Sequence, residues 1–184
     1  MEDEYIDILT DDLKVLKRCL KSEAHQNGYL HASVHIWLYT DDGKILLQKR
    51  SANKIAFPSL WDVSVAGHIS SGESEISAAV REIKEEIGLQ VTEKELLKIG
   101  MFREQFQHQA DFIDNEIHHV YICKLTSSIN QLSLQKEEVS DIKLISFEKF
   151  TELRKQSNFS DTYVPNNSEY CDFVLKKLKD TIDD

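Results

Sequence analysis

Between Ser74 and Gly88 the chain places Ile76, Ala79, Val80, Ile83 and Ile87 at three- and four-residue steps, with Gly88 as a stop. That spacing predicts a helix with one apolar stripe. On the same helix Glu82, Glu85 and Glu86 stand at i, i+3 and i+4, so three carboxylates share a face opposed to Ile83 and Ile87. Neighbouring anions repel, so such a trio is either a solvated face or the seat of a cation. Gly67 and Gly72, just upstream, allow a tight loop whose backbone carbonyls can approach a metal. Oxygen ligands suit magnesium or manganese rather than zinc, and magnesium characteristically takes substrate phosphates as further ligands. Glu73 lies at the start of the helix, where the dipole favours a carboxylate. Arg81, two turns on, is placed to pair with Glu73 and tie loop to helix.

Charge narrows the ligands. With 22 basic against 32 acidic residues the formal net charge is −10. The sum argues against a nucleic acid polymer as partner. It would also repel free phosphates, so a phosphate site here needs cations to reverse the local sign. Three widely spaced cysteines, Cys19, Cys123 and Cys171, form no CxxC pair. They point away from a disulfide framework or structural zinc and towards a reducing cytoplasmic setting. The N-terminus lacks a signal-peptide pattern, and no apolar run approaches the roughly 20 residues that span a membrane. The expectation is a cytoplasmic protein, monomer or homodimer, without a membrane partner.

The 184 residues fit one domain, with no repeat and no long linker. Apolar pieces at Tyr5–Leu9 and Leu13–Leu16 around Asp11-Asp12 suggest a hairpin. Strands are expected at Ala32–Tyr39, Lys44–Lys49, Trp61–Ala66, Leu96–Phe106, Ile117–Leu125 and Ile142–Phe147. Further helices are expected at Phe147–Arg154 and Glu169–Leu178. Intermixed strands and helices give an α/β or α+β layered domain.

Residues 67–89 resemble the signature of the Nudix hydrolases: G, five residues, E, seven residues, then REUxEExGU, with U a bulky aliphatic. Gly67, Glu73, Arg81, Glu82, Ile83, Glu85, Glu86, Gly88 and Leu89 fill every fixed position. The resemblance implies an α/β/α sandwich around a central mixed sheet, with residues 1–30 as an N-terminal extension carrying the hairpin. It implies a Mg²⁺- or Mn²⁺-dependent attack of water on a diphosphate linkage in a small molecule such as a nucleoside diphosphate derivative. By the same resemblance Glu82, Glu85, Glu86 and the Gly67 carbonyl are metal ligands, and one carboxylate is the general base.

Other segments are similar to the isopentenyl-diphosphate isomerase subgroup of that superfamily: Ala24-His25, Tyr29-Leu-His31-Ala-Ser-Val, Leu46-Leu-Gln-Lys-Arg-Ser51 and the stretch from Phe57 to His68. His25, His31 and His68 correspond by context to its three metal-binding histidines, and Asp114 and Glu116 to its two acids. This resemblance implies a second metal site at those residues. It also makes Asp114 or Glu116, from a loop opposite the signature helix, an extra ligand or a base. The isomerases carry a catalytic cysteine before the glycine-histidine pair, where this chain has Ala66. Alanine shuttles no proton, so the expectation is a hydrolase, with Glu82, Glu85, Arg81 and Glu116 in the catalytic set. Isomerase activity and a noncatalytic diphosphate-binding module are the alternatives. His118 and His119 have opposite facings on a strand, so at most one faces the site. Trp37, Phe57 and Phe106 are candidates to stack on a base, and Gln48, Lys49 and Arg50 end a strand at a possible rim.

Overall fold

A computed structural model describes residues 3–183. β1 (Tyr5–Leu9) and β2 (Val15–Leu20) form the expected antiparallel hairpin, with the second strand running further than the sequence suggests. After α1 (Lys21–Asn27) come β3 (His31–Thr40), β4 (Lys44–Arg50), β5 (Trp61–Asp62) and β6 (Val65–His68). α2 (Glu75–Ile87) is followed by β7 (Leu97–Gln109), β8 (Phe112–Lys124), β9 (Val139–Ser146), α3 (Phe147–Leu153) and α4 (Ser168–Asp183). All nine strands join one mixed sheet.

β3 organises that sheet. Along one edge it pairs in parallel with β8 from His31↔Glu116 to Tyr39↔Lys124, and β8 continues antiparallel to β7. Along its other edge it meets β1 at His31, β6 over Ser33–Ile36 and β4 at Tyr39–Thr40. β4 carries the sheet on to β5 and β9.

Side chains alternate across a strand, and β3 uses both phases. Val34, Ile36 and Leu38 pack with Leu46, Ile83, Ile87 and Tyr121 beneath α2. Trp37 packs on the other face with Ile45, Phe147, Phe150, Tyr170 and Val174, under α3 and α4. The result is the expected α/β/α sandwich. Burying each large aliphatic side chain contributes roughly 1.5–3 kcal/mol, and Ile83 and Ile87 are both 0% exposed.

α2 is fixed at both ends by its sequence. The Ser74 side chain accepts from Ser77 N (3.2 Å), and Gly88 takes the left-handed conformation (φ 69°) that ends the helix. Two expectations need correction. Trp61–Ala66 is not one strand but two short pieces, broken where the Ser64 hydroxyl donates to Leu46 O (2.6 Å) and accepts from Leu38 N (2.7 Å). Asp114 and Glu116 are not in a loop: β7 and β8 form a long hairpin turning at Ala110-Asp111, and both acids lie within β8. Among the described residues no helix is long and apolar enough to cross a membrane.

Candidate active site

The loop from β6 to α2 is clamped by one guanidinium. Arg81 donates to both oxygens of Glu73 (Nε–Oε1 3.0 Å, Nη2–Oε2 2.8 Å) and to the His68 carbonyl (2.9 Å). It also donates to Glu82 (2.7 Å) and Glu85 (3.2 Å). The fork of donors matches this planar work as a lysine could not. Burial raises the pKa of Glu73, but the Arg81 guanidinium and the Ser70 N–H outweigh it and leave Glu73 below the usual carboxylate value. The N-terminal hairpin braces the same loop. Asp7 accepts from the Ser71 hydroxyl (2.6 Å) and Gly72 N (3.1 Å), while Ser71 N donates to Tyr5 O (2.8 Å).

The three signature glutamates have different settings. Glu82 lies against Gly67 so closely that a Cβ there would fall 2.0 Å from Glu82 Cδ. Burial raises the Glu82 pKa to about 7, with Arg81 pulling the other way and Glu85 and Glu4 adding like charge. Glu86 is buried (4% exposed) and accepts from Gln48 Nε2 (3.1 Å). Desolvation and the neighbouring Glu82 push its pKa well above the usual value, against the opposing pull of Lys54 and Arg50. The Glu85 side chain is half-exposed at the rim beside Arg81. Glu82 and Glu86 thus sit inside the fold as neighbouring carboxyl groups whose charged forms burial disfavours, and Glu85 does not join them there.

Across the sheet, β3, β6, β8 and α1 assemble the second constellation. Among the described residues, His25, His31 and His68 are the group of histidine, cysteine, aspartate and glutamate side chains that gathers within 4.8 Å. His31 Nδ1 donates to Tyr29 O (2.8 Å), which leaves Nε2 to face inward. His31 Nε2, His68 Nε2 and His25 Nδ1 are buried without a hydrogen-bond partner. Glu116 Oε1 stands 3.6 Å from His31 Nε2 and 3.5 Å from His68 Nε2, and Asp114 Oδ1 lies 2.8 Å from His25 Nδ1, out of line for a hydrogen bond. Burial raises the Glu116 pKa, but the imidazoles of His118, His31 and His68 outweigh it and hold it well below the usual range. Three orphaned imidazole nitrogens facing a carboxylate fit a divalent transition metal.

His118 and His119 do face opposite ways. His118 lies on the Glu116 side, while His119 pairs with Glu75 of α2. Trp37 cannot stack on a ligand: it is 1% exposed and donates Nε1 to Tyr170 OH (2.8 Å). Phe57 and Phe106 meet edge to face (5.1 Å between centroids), and Phe57 has a left-handed φ of 48°. Arg50 is committed to Asp62 (3.0 Å) and Ala56 O (3.0 Å) rather than standing free at a rim. Sequence reading passed over Lys54 and Glu104. Lys54 offers no local signal. Glu104 does, because it is a charge in the inward phase of β7, between Phe102 and Phe106.

The profile of the NUDIX domain matches residues 29–166. The chain belongs to the Nudix family. It is therefore a Nudix hydrolase, of an enzyme class that acts on small molecules carrying a diphosphate linkage. An uncharacterised Nudix hydrolase of Clostridium acetobutylicum is 36% identical over 172 residues, covering 90% of this chain and 82% of that one. An isopentenyl-diphosphate Delta-isomerase of Serratia proteamaculans is 32% identical over 120 residues, covering 65% of each. Among solved structures, a Deinococcus radiodurans protein superposes with a TM-score of 0.61 at 20% identity, over 81% of this chain and 87% of that one, a likeness of fold. The isomerase relation makes Ala66 informative. It faces His35 across the β3–β6 pairing and packs against the apolar cluster under α4, with no ionisable group.

Proposed function

We propose that this Nudix hydrolase uses magnesium or manganese to cleave the diphosphate linkage of a nucleoside diphosphate derivative or similar small molecule, with Glu82, Glu86 and the Gly67 carbonyl as the ion's protein ligands. The observation that carries the reading is the contact of Glu82 with Gly67. A side chain at position 67 would occupy the space of the Glu82 carboxylate, so the pair is built for close approach of carboxylate and backbone. Glu82 and Glu86 are neighbouring carboxyl groups whose pKa values burial raises, and oxygen donors of this kind suit a hard cation.

When bound, such an ion offsets charge on the diphosphate and lowers the pKa of an attacking water. The protein's own contribution is positional. Arg81 holds the His68 carbonyl, Glu73 and Glu82 in one frame, fixing loop to helix. Glu85, half-exposed beside Arg81, is the signature carboxylate open to solvent and the candidate to take the proton of water. Glu116, with its pKa depressed, is ionised at neutral pH and is either a ligand or a second proton acceptor.

His25, His31, His68, Glu116 and Asp114 make a second ion site in this reading. That cluster also favours the alternative, an isomerase-like activity, because the resemblance to the isomerase subgroup implies the same residues. Ala66 weighs against it, having no proton to give.

The test is a hydrolysis panel run with and without Mg²⁺ or Mn²⁺ over nucleoside di- and triphosphates, nucleotide sugars, dinucleotides and prenyl diphosphates. Metal-dependent release of phosphate or pyrophosphate supports the proposal. Conversion of isopentenyl to dimethylallyl diphosphate without phosphate release would establish the alternative. Tight binding without turnover of any member would contradict both.

A further inference from the structure

Glu104 and Glu116 are Cα partners across β7 and β8. Like charges directly opposed on a sheet are destabilising, and these two are also largely buried, at 7% and 12% side-chain exposure. One imidazole lies between them. His118 Nε2 is 3.5 Å from Glu104 Oε2, and His118 Nδ1 is 3.4 Å from Glu116 Oε2. The ring is held from the far strand, where Ser33 Oγ on β3 is hydrogen-bonded to His118 Nδ1 (2.7 Å), and His35 stacks on it at 3.8 Å between centroids. Glu104 is itself pinned, since its Oε1 accepts from Asn167 N (2.6 Å) at the entry to α4. Its other oxygen is buried without a hydrogen-bond partner.

The two oxygens of Glu116 divide accordingly. Oε1 faces His31 and His68, and Oε2 faces His118. We propose that Glu104, His118 and Ser33 are positioning residues that aim Glu116 at the three imidazoles, so that affinity for the ion at the histidine cluster is set from the entry of α4 through β7 to β8. The proposal rests on the histidine cluster holding an ion, as read above. Partners of this kind orient ligands, and losing one typically lowers metal affinity about 10- to 100-fold. Glu104→Gln keeps the shape and an acceptor for Asn167 N but removes the charge facing His118. Ser33→Ala removes the hydroxyl that steadies the ring.

The experiment is Co²⁺ titration of the full chain, followed by the visible absorption of the imidazole-bound ion, on wild type, Glu104→Gln, Ser33→Ala and His31→Ala. Melting temperatures of the metal-free proteins are measured alongside. The expected result is about 10- to 100-fold weaker Co²⁺ binding in Glu104→Gln, a smaller loss in Ser33→Ala, and melting temperatures near wild type. A structural role alone would lower the melting temperature and leave the affinity of the folded protein unchanged. Wild-type affinity in folded Glu104→Gln overturns the proposal; should that variant not fold, wild-type affinity in Ser33→Ala does so. A wild-type cobalt spectrum that His31→Ala leaves unaltered instead overturns the histidine site itself.

Discussion

Gly67→Ala separates the site from the fold more cleanly than removing a carboxylate would. An added Cβ would lie 2.0 Å from Glu82 Cδ, 2.1 Å from Oε1 and 2.5 Å from Oε2. Ordinary carbon contacts sit near ~3.5 Å, so the carboxylate must retreat by about 1.5 Å. The backbone has no reason to object, because Gly67 is outside the left-handed region and lies in a regular strand pair with Val34. What yields is the end of a flexible side chain, so the fold survives while the site loses its geometry. Misplacing a reacting group by about 1 Å costs about 10²-fold in rate, equal to about 2.7 kcal/mol. The expected outcome for Gly67→Ala is a fall in kcat/KM of that size on the best substrate of the panel. Its melting temperature stays within about 4 °C of wild type, the shift of a 1 kcal/mol change in a chain of this length. Full activity in Gly67→Ala would refute the claim that the closeness of Gly67 and Glu82 builds the site.

Other outcomes follow from the same geometry. Glu86→Gln lowers turnover about 10²-fold or more, part of the several kcal/mol a bound ion supplies to the transition state, read in the metal-dependent assay, while the melting temperature of the metal-free protein holds or rises because burial already disfavours the charged form of this carboxyl. Arg81→Lys loses the two-pronged hold on Glu73 and costs about 2 kcal/mol in urea unfolding, the scale of a charge-assisted hydrogen bond. For pH, Glu82 has its folded pKa raised to about 7 from 4.5. The stabilising contribution of this one carboxyl to the metal-free protein is therefore lost as pH rises from 4.5 through about 7. Paired thermal melts of wild type and Glu82→Gln between pH 5 and pH 8 check this: the melting temperature of wild type relative to the variant falls across that range. Saturating Mg²⁺ stabilises wild type more at pH 8 than at pH 5, since it binds the ionised carboxylates.

Much of this was legible because periodicity and glycine spacing are local. α2 follows from the step of Ile76, Ala79, Ile83 and Ile87 together with Gly88, and Arg81–Glu73 from two turns of helix. What escaped depends on contacts distant in sequence. α1 is short, follows Leu20 without a side-chain cap and buries only Ala24 and His25, so no apolar stripe announces it. The burial of Glu86 depends on Gln48 arriving from β4, which the helix alone cannot foretell. The glutamate triplet reads as one face, yet Ile83 and Ile87 turn inward far enough to take Glu86 with them and leave Glu85 at the surface. Asp114 and Glu116 interrupt the apolar pattern of β8, which made a strand look like a loop.

The most direct test of the central claim is the anomalous map of a crystal grown with Mn²⁺ and a non-hydrolysable diphosphate. The expected result is a peak against Glu82, Glu86 and the Gly67 carbonyl, bridged to the diphosphate. Diphosphate in the density with no manganese at those residues would contradict it.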